Sequence, residues 1–314
     1  MVLIGKTGNG KSASGNTILN REAFRSVLSP GSVTSECEKA KGTVDGCRVA
    51  VIDTPGIYDT KYKEEEVFRK LKECISFSAP GPHVFLIVIK LDRFTQEEQK
   101  TVELLQMVFG DRAADYSMVL FTHGEKLGDT TIEVFFSQSQ PLSSLIAKCN
   151  WRYHVFSNTV SNDRQVPELL AKVRSMICDN GGTFYTNAMF QEAERLIQGE
   201  TEKILKAKAE KIRKEEEKLR AMFEGQLLQE KLEWNKQYYR SKSREKAEKK
   251  NKFLVTGMIL TSAEVGIAIG AAAGAAGGPV CMGIGAAVGG AVGAAVGVLV
   301  PSAVKALKNK CATQ

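Results

Sequence analysis

The chain has 314 residues, 43% hydrophobic and 25% charged, with a formal net charge of +7. Those values exclude a collagen-like chain, a wholly disordered chain and a disulfide-stapled miniprotein, and the length suits one domain plus further segments. The charge is unevenly placed: residues 1–199 carry 23 Lys/Arg against 24 Asp/Glu, residues 200–252 carry 17 against 11, and residues 253–314 carry three against one. Seven cysteines, an odd number without a CxxC pair, fit reduced thiols packed as small hydrophobes rather than a disulfide framework or a metal site.

Gly5-Lys6-Thr7-Gly8-Asn9-Gly10-Lys11-Ser12 satisfies G-x-x-x-x-G-K-[ST] without a mismatch. In such a loop the glycines let backbone N–H groups wrap phosphate oxygens, the lysine reaches the β and γ phosphates, and the serine ligates Mg²⁺. Ala13 to Leu19 reads as the helix whose positive end faces the anion. Only Met1 to Ile4 precede Gly5, where a strand usually has about five or six residues, so residues upstream of Met1 are expected. A secretory leader is not expected, because its removal would destroy the motif.

A second buried strand, Arg48 to Ile52, ends in Asp53-Thr54-Pro55-Gly56. Asp53 is placed to hold Mg²⁺ from its second shell, and the Gly56 amide to sense a γ-phosphate. Thr34 lies between the two motifs, where a switch threonine ligates the same ion. Further apolar runs at Val84–Ile89, Met118–Phe121 and Tyr153–Phe156 alternate with helical stretches at Glu97–Val108 and Val166–Ile177. Near-continuous apolar strands alternating with helices indicate an α/β fold, a mostly parallel sheet with helices on both faces. Ligands bind at the carboxyl ends of such strands, where all these motifs fall.

Phe121 is followed by Thr122-His123-Gly124-Glu125, in the place of the N/T-K-x-D element of guanine-binding proteins. A carboxylate there accepts two hydrogen bonds from guanine N1 and N2, which adenine cannot supply. His123 is placed to stack on the base, and after Phe156 the pair Ser157-Asn158 offers an amide or a backbone N–H to guanine O6. The order and spacing favour guanine over adenine.

From Val2 to about Arg195 these residues resemble the GTPases of immunity-associated proteins, the IMAP family, relatives of septins and chloroplast Toc GTPases. The resemblance rests on G-K-T-G-N-G-K-S-A-S-G-N-T-I-L, D-T-P-G-I-Y-D-T, G-P-H-V-F-L-I-V-I-K-L-D-R-F-T, F-T-H-G-E, Y-H-V-F-S-N, and the run from Asn180-Gly181-Gly182 to Glu194. It implies a P-loop GTPase fold, binding of GTP and GDP with Mg²⁺ through Gly5 to Ala13, and GTP-dependent dimers or filaments across the nucleotide face. It also implies attachment to intracellular membranes. Ser157 departs from the pattern, where asparagine is more usual.

In Ras-like proteins a glutamine after D-x-x-G orients the attacking water, and Ile57 cannot, so intrinsic hydrolysis is expected to be slow. The resemblance implies that Arg93 reaches a partner's nucleotide in trans, giving catalytic roles to Arg93, Lys11 and Thr34. The alternative is a GTP-gated membrane scaffold with negligible hydrolysis.

Residues 186–252, following a GTP-binding domain over 1–185, lack proline and read as one long charged helix. Leu205, Ile212 and Leu219 recur every seven residues, but Thr201, Lys208 and Glu215 between them are polar, against a sustained coiled coil. Seven basic residues crowd 240–252. Residues 253–304 follow as a Gly/Ala-rich segment, with a charge-free run at 265–304 and glycines every fourth residue on either side of Gly277-Gly278-Pro279. This pattern predicts a closely packed apolar hairpin able to enter a membrane, both basic ends on the cytosolic side, before a short basic tail at 305–314. An anionic membrane surface is therefore ranked above nucleic acid as the partner of the basic stretch.

Overall fold

A computed structural model describes residues 1–27, 34, 36–56, 73–159 and 162–259. Six strands form one sheet: β1 Val2–Ile4, β2 Glu38–Val44, β3 Cys47–Asp53, β4 Phe85–Lys90, β5 Ser117–Thr122 and β6 Tyr153–Val155. Their order is β2-β3-β1-β4-β5-β6, every neighbouring pair parallel except β2 with β3. Helices α1 (Lys11–Leu19), α2 (residues 73–78 of the described chain), α3 (Gln96–Phe109), α4 (Ile132–Ser137), α5 (Gln140–Lys148) and α6 (Gln165–Asp179) accompany it.

Strand parity explains how both faces are filled. Leu86 and Val88 of β4, with Met118 and Leu120 of β5, pack with Ile18 of α1 and Leu169, Val173 and Met176 of α6. The intervening Ile87, Ile89, Val119 and Phe121 pack with Val102 of α3, Ile132 and Phe136 of α4 and Leu145 of α5. A strand whose every residue is apolar therefore supplies two cores at once, the condition of a parallel sheet covered on both sides.

β2 was not among the expected strands. Its sequence, EKAKGTV, is polar because it is the edge of the sheet, with only intermediate and exposed positions. Asp45 and Gly46, at φ 49° and 70°, close its hairpin with β3, and the Asp-Gly pair is the residue choice that such a two-residue turn demands.

The segment after α6 is pinned to the domain. The Tyr185 hydroxyl donates to the Phe109 carbonyl, and Asn187 Nδ2 donates to that same oxygen at 2.8 Å. Asn187 Oδ1 also accepts from the Phe190 N–H at 3.1 Å, capping α7 (Ala188–Ala207).

Beyond α7 the structure corrects the expectation of one long helix. α8 (Ala209–Met222) and α9 (Gly225–Ile259) are separate. Phe223 takes an extended conformation and Gly225 a φ of +59°, so the break falls where glycine accepts a backbone that other residues resist. α9 turns back along α8, with Met222 and Leu219 facing Leu227 and Trp234 across one groove.

The basic stretch is also less bare than its sequence suggests. Arg244 holds both oxygens of Glu194, at 2.8 and 2.6 Å, and reaches Glu248 at 3.1 Å and the Ala79 carbonyl at 2.9 Å. Lys39 of β2 meets both Glu248 oxygens at 2.9 Å. Lys250 pairs with Glu200, and Lys242 and Lys249 with Glu245. The arginine holds the Glu194 carboxyl below its usual range.

The chain divides into Met1–Lys252 and Phe253–Gln314. Among the described residues no helix is long and apolar enough to cross a membrane. The charge-free run 265–304, both glycine stripes of the expected hairpin and the basic tail lie outside the described residues, as does Ile57. Within the first unit, Arg244→Met leaves Glu194 and Glu248 without their shared cation and is expected to lower unfolding stability by about 2 kcal/mol. A urea titration checks this; an unchanged midpoint would show that the network holds nothing in place.

Candidate functional site

The phosphate loop runs from the end of β1 into α1. Gly10 stands before the helix at φ +85°, a left-handed conformation that a side chain strains. Lys11 folds over the loop: its Nζ donates to the Gly5 carbonyl at 3.0 Å and the Lys6 carbonyl at 3.1 Å. Burial lowers its pKa to about 8, with the Asp53 charge pulling the other way. A buried ammonium aimed at carbonyl oxygens is poised for an anion, which would stabilise its charged form.

Beside it three oxygen-bearing residues converge. Ser12 Oγ donates to Asp53 Oδ2 at 2.6 Å, Ser12 and Thr34 hydroxyls lie 3.2 Å apart, and Thr34 donates to the same Asp53 oxygen at 3.4 Å. Burial raises the Asp53 pKa, opposed by the Ser12 hydrogen bond and Lys11. Its other oxygen, Oδ1, is buried with no hydrogen-bond partner among the described residues. An all-oxygen set with one buried carboxylate oxygen to spare suits a hard cation such as Mg²⁺.

Gly56 closes the phosphate side. A Cβ built on it would stand 1.9 Å from Thr7 Oγ1 and 2.7 Å from the Thr7 nitrogen. Only glycine lets the end of the Asp53–Gly56 segment lie this close to the loop.

Beyond the end of β5, Glu125 is gripped through both oxygens: Ser157 Oγ donates to Oε2 at 2.7 Å, and His123 Nδ1 lies 3.2 Å from Oε1. The Ser157 hydrogen bond is the main cause of the lowered Glu125 pKa, keeping it an acceptor. Gly124 fastens this loop to the sheet, its N–H donating to the Phe156 carbonyl at 2.9 Å. Of the two donors expected at Ser157-Asn158, the Asn158 side chain is turned to α1. Its amide donates to Ser14 at 3.2 Å and accepts from Thr17 at 2.8 Å, so the side chain is committed to α1.

Arg93 is exposed just past β4, in a segment whose Leu91 N–H donates to the Thr122 carbonyl at 3.0 Å. The expected site residues thus gather at the carboxyl ends of β1, β3, β4 and β5. Sequence reasoning missed the grip of Ser157 on Glu125, which joins two loops 32 residues apart, and the bond from Asn9 of the phosphate loop to Glu98 of α3. For Glu98 a signal existed: Thr95-x-x-Glu98 has capping-box spacing.

A family model described as the AIG1 family matches residues 1–204. The chain belongs to the AIG1 family. Among curated AIG1-like relatives it is 37% identical over 203 residues to Immune-associated nucleotide-binding protein 9 of Arabidopsis thaliana, covering 62% of this chain and 59% of that protein. It is 36% identical over 191 residues to GTPase IMAP family member 8 of Homo sapiens, covering 60% of this chain and 29% of that protein. The match therefore spans less than two thirds of either relative. Among solved structures, Toc33 from Arabidopsis thaliana in complex with GDP and Mg²⁺ aligns with a TM-score of 0.45 and 21% identity, over 57% of this chain and 83% of that one.

The lowered Lys11 pKa carries a pH signature for this AIG1 site. Its folded pKa lies below the ordinary 10.5, so the folded protein releases this proton above about pH 8. Anion binding needs the proton back. Triphosphate affinity at fixed ionic strength is expected to be flat below about pH 8 and to fall by up to about tenfold per pH unit above it. Titration of a fluorescent nucleotide from pH 7 to 9.5 measures this, and a flat profile would count against Lys11 as the anion's contact.

Proposed function

We propose that this chain binds GTP and GDP with Mg²⁺ and hydrolyses GTP slowly, faster when two copies pair across the nucleotide face. The observation that carries the reading is the convergence of Ser12, Thr34 and Asp53 oxygens beside Lys11 at the mouth of a phosphate loop. The relatives named as nucleotide-binding proteins and as a GTPase support it.

Ser12 and Thr34 would hold Mg²⁺ directly and Asp53 through its hydration shell; the ion would neutralise charge on the β and γ phosphates. Lys11 leaves the Gly5 and Lys6 carbonyls for phosphate oxygens. The loop amides from Gly5 to Ala13 orient the chain of phosphates, and the Gly56 N–H marks the γ position. Glu125, already anchored by Ser157 and His123, accepts from guanine N1 and N2. Anchoring compensates for the extra methylene that glutamate has over aspartate.

Arg93 is exposed and so able to enter a facing copy, where its charge would stabilise the transferring phosphoryl group. Single-turnover hydrolysis at concentrations that pair the protein is expected to fall about 10³-fold in Arg93→Ala, toward the low-concentration rate. A rate unchanged by the substitution overturns the role, and turnover negligible at every concentration favours a GTP-gated scaffold.

The base reading has its own test. Glu125→Gln replaces one acceptor oxygen with an NH₂ donor, which faces a donor on guanine but an oxygen on xanthine. GTP affinity is expected to drop by about 2 kcal/mol and xanthosine triphosphate to gain, measured by competition binding. Retained preference for GTP would place the base elsewhere.

Membrane attachment through residues 253–304 completes the reading. Four of the seven basic residues at 240–252 already face carboxylates, so the apolar segment rather than this stretch would supply most of the binding. Sedimentation with anionic and neutral vesicles, comparing the full chain with one ending at Lys252, separates the two contributions.

A further inference from the structure

Asn9 of the phosphate loop is turned into the protein and hydrogen-bonded there to other elements through its side-chain amide. It is 5% exposed. Its Nδ2 donates to the Val88 carbonyl of β4 at 2.9 Å and to Glu98 Oε1 at 3.0 Å. Its own carbonyl accepts from Thr122 Oγ1 at 2.8 Å, at the residue before His123. Glu98, also 5% exposed, uses its other oxygen on Thr95: Oε2 accepts from the Thr95 N–H at 3.0 Å and its hydroxyl at 3.1 Å. Thr95 caps α3 and stands two residues beyond Arg93.

Capping alone does not call for this residue. A glutamine at the same position caps a helix as well as a glutamate, through one oxygen, and capping glutamates ordinarily sit in water rather than buried. What requires a carboxylate here is the need to accept on both sides. A glutamine would keep its oxygen for Thr95 and turn an NH₂ toward the NH₂ of Asn9, donor against donor.

We propose that Glu98 is a positioning residue linking the phosphate loop to the segment that carries Arg93, so that phosphates seated on the loop set where that segment stands. Anything that fixes the loop around Asn9 fixes Glu98 Oε1, and a carboxylate cannot move one oxygen without the other. The link to Thr95 stands on these contacts; the use a second copy makes of Arg93 rests on the function proposed above.

The test is amide hydrogen exchange on the full chain, with and without a non-hydrolysable GTP analogue, read in peptides covering 5–12 and 91–99. In the unaltered protein the analogue is expected to slow exchange in both peptides, by about threefold or more in the second. In Glu98→Gln the first peptide keeps its response and the second loses it, while the melting temperature falls by no more than several degrees, the donor-against-donor contact costing stability and the surviving cap limiting the loss. Three results overturn the link: no response at 91–99 in the unaltered protein, an undiminished response there in Glu98→Gln, or equal loss of protection in both peptides.

Turnover then separates the two ideas. Where Arg93→Ala slows paired hydrolysis, Glu98→Gln is expected to lower kcat about tenfold with KM within about twofold. Unchanged kcat in that case overturns the link. Where Arg93→Ala has no effect, the trans-arginine reading fails and the exchange result alone decides the role of Glu98.

Discussion

A phosphate loop must keep several backbone N–H groups aimed at one point while making few hydrogen bonds of its own. Left alone, so glycine-rich a segment would lose that shape to conformational entropy. Here the surrounding strands hold it from outside. Gly5 passes so close to β4 that a Cβ on it would meet the Val88 carbonyl at 2.4 Å. Val88 also accepts from Asn9, and Thr122 at the end of β5 donates to the Asn9 carbonyl. The parallel register ends β1 at Ile4, opposite Ile87, while β4 and β5 run on to Lys90 and Thr122, so the loop leaves β1 alongside their last residues. The sheet order is thus part of the binding site.

The same closeness explains the unusual ionisation of its charged groups. Lys11 and Asp53 are both buried, and each is pushed toward its neutral form by that burial and partly restored by the other. Neither is fully compensated by the protein's own groups: Lys11 rests on two carbonyls, and Asp53 keeps one oxygen without a partner among the described residues. A site held in this condition gains differential affinity for an anion together with a cation, since each supplies what one buried charge lacks.

The fold was largely legible because its strands carry apolar residues on both faces. Every run expected as a strand lies within two residues of an observed one, and the helices over 96–109 and 165–179 fall where periodicity places them. β2 escaped that reasoning for a physical cause: an edge strand with one bonded neighbour has little to bury, so its pattern is polar. The Asp45-Gly46 turn was the readable sign. That Ser12 and Asp53 gather beside Lys11 was legible because G-x-x-x-x-G-K-[ST] and a strand ending in Asp have a fixed order. The orientation of the Asn158 side chain was not, because its amide answers to Ser14 and Thr17 on α1, partners more than 140 positions away. Nor did the absence of proline after Asn187 reveal the break before α9, which glycine makes with no change of charge pattern.

The charged helices show why composition and electrostatics part company. A net excess over 200–252 looks like a surface for anions, yet Arg244 reaches back 50 positions to Glu194, and Lys250 the same distance to Glu200. Glu248, at 1% side-chain exposure, draws Lys39 from β2, the strand that follows Thr34. Charges that end in such pairs contribute little field at a distance. Their effect is instead local: they fasten α9 to the edge of the sheet and to α7. Elsewhere on α9, Asn235 Nδ2, whose residue lines the groove toward α8, and Ser243 Oγ are buried with no hydrogen-bond partner among the described residues. Buried polar atoms of that kind weaken an interface relative to an apolar one of the same area. The docked face buries Tyr239 and Ala247 beside ion pairs that all fall at residues 244–250. Because salt screens those pairs, its hold should depend on ionic strength more than that of the two cores on either face of the sheet.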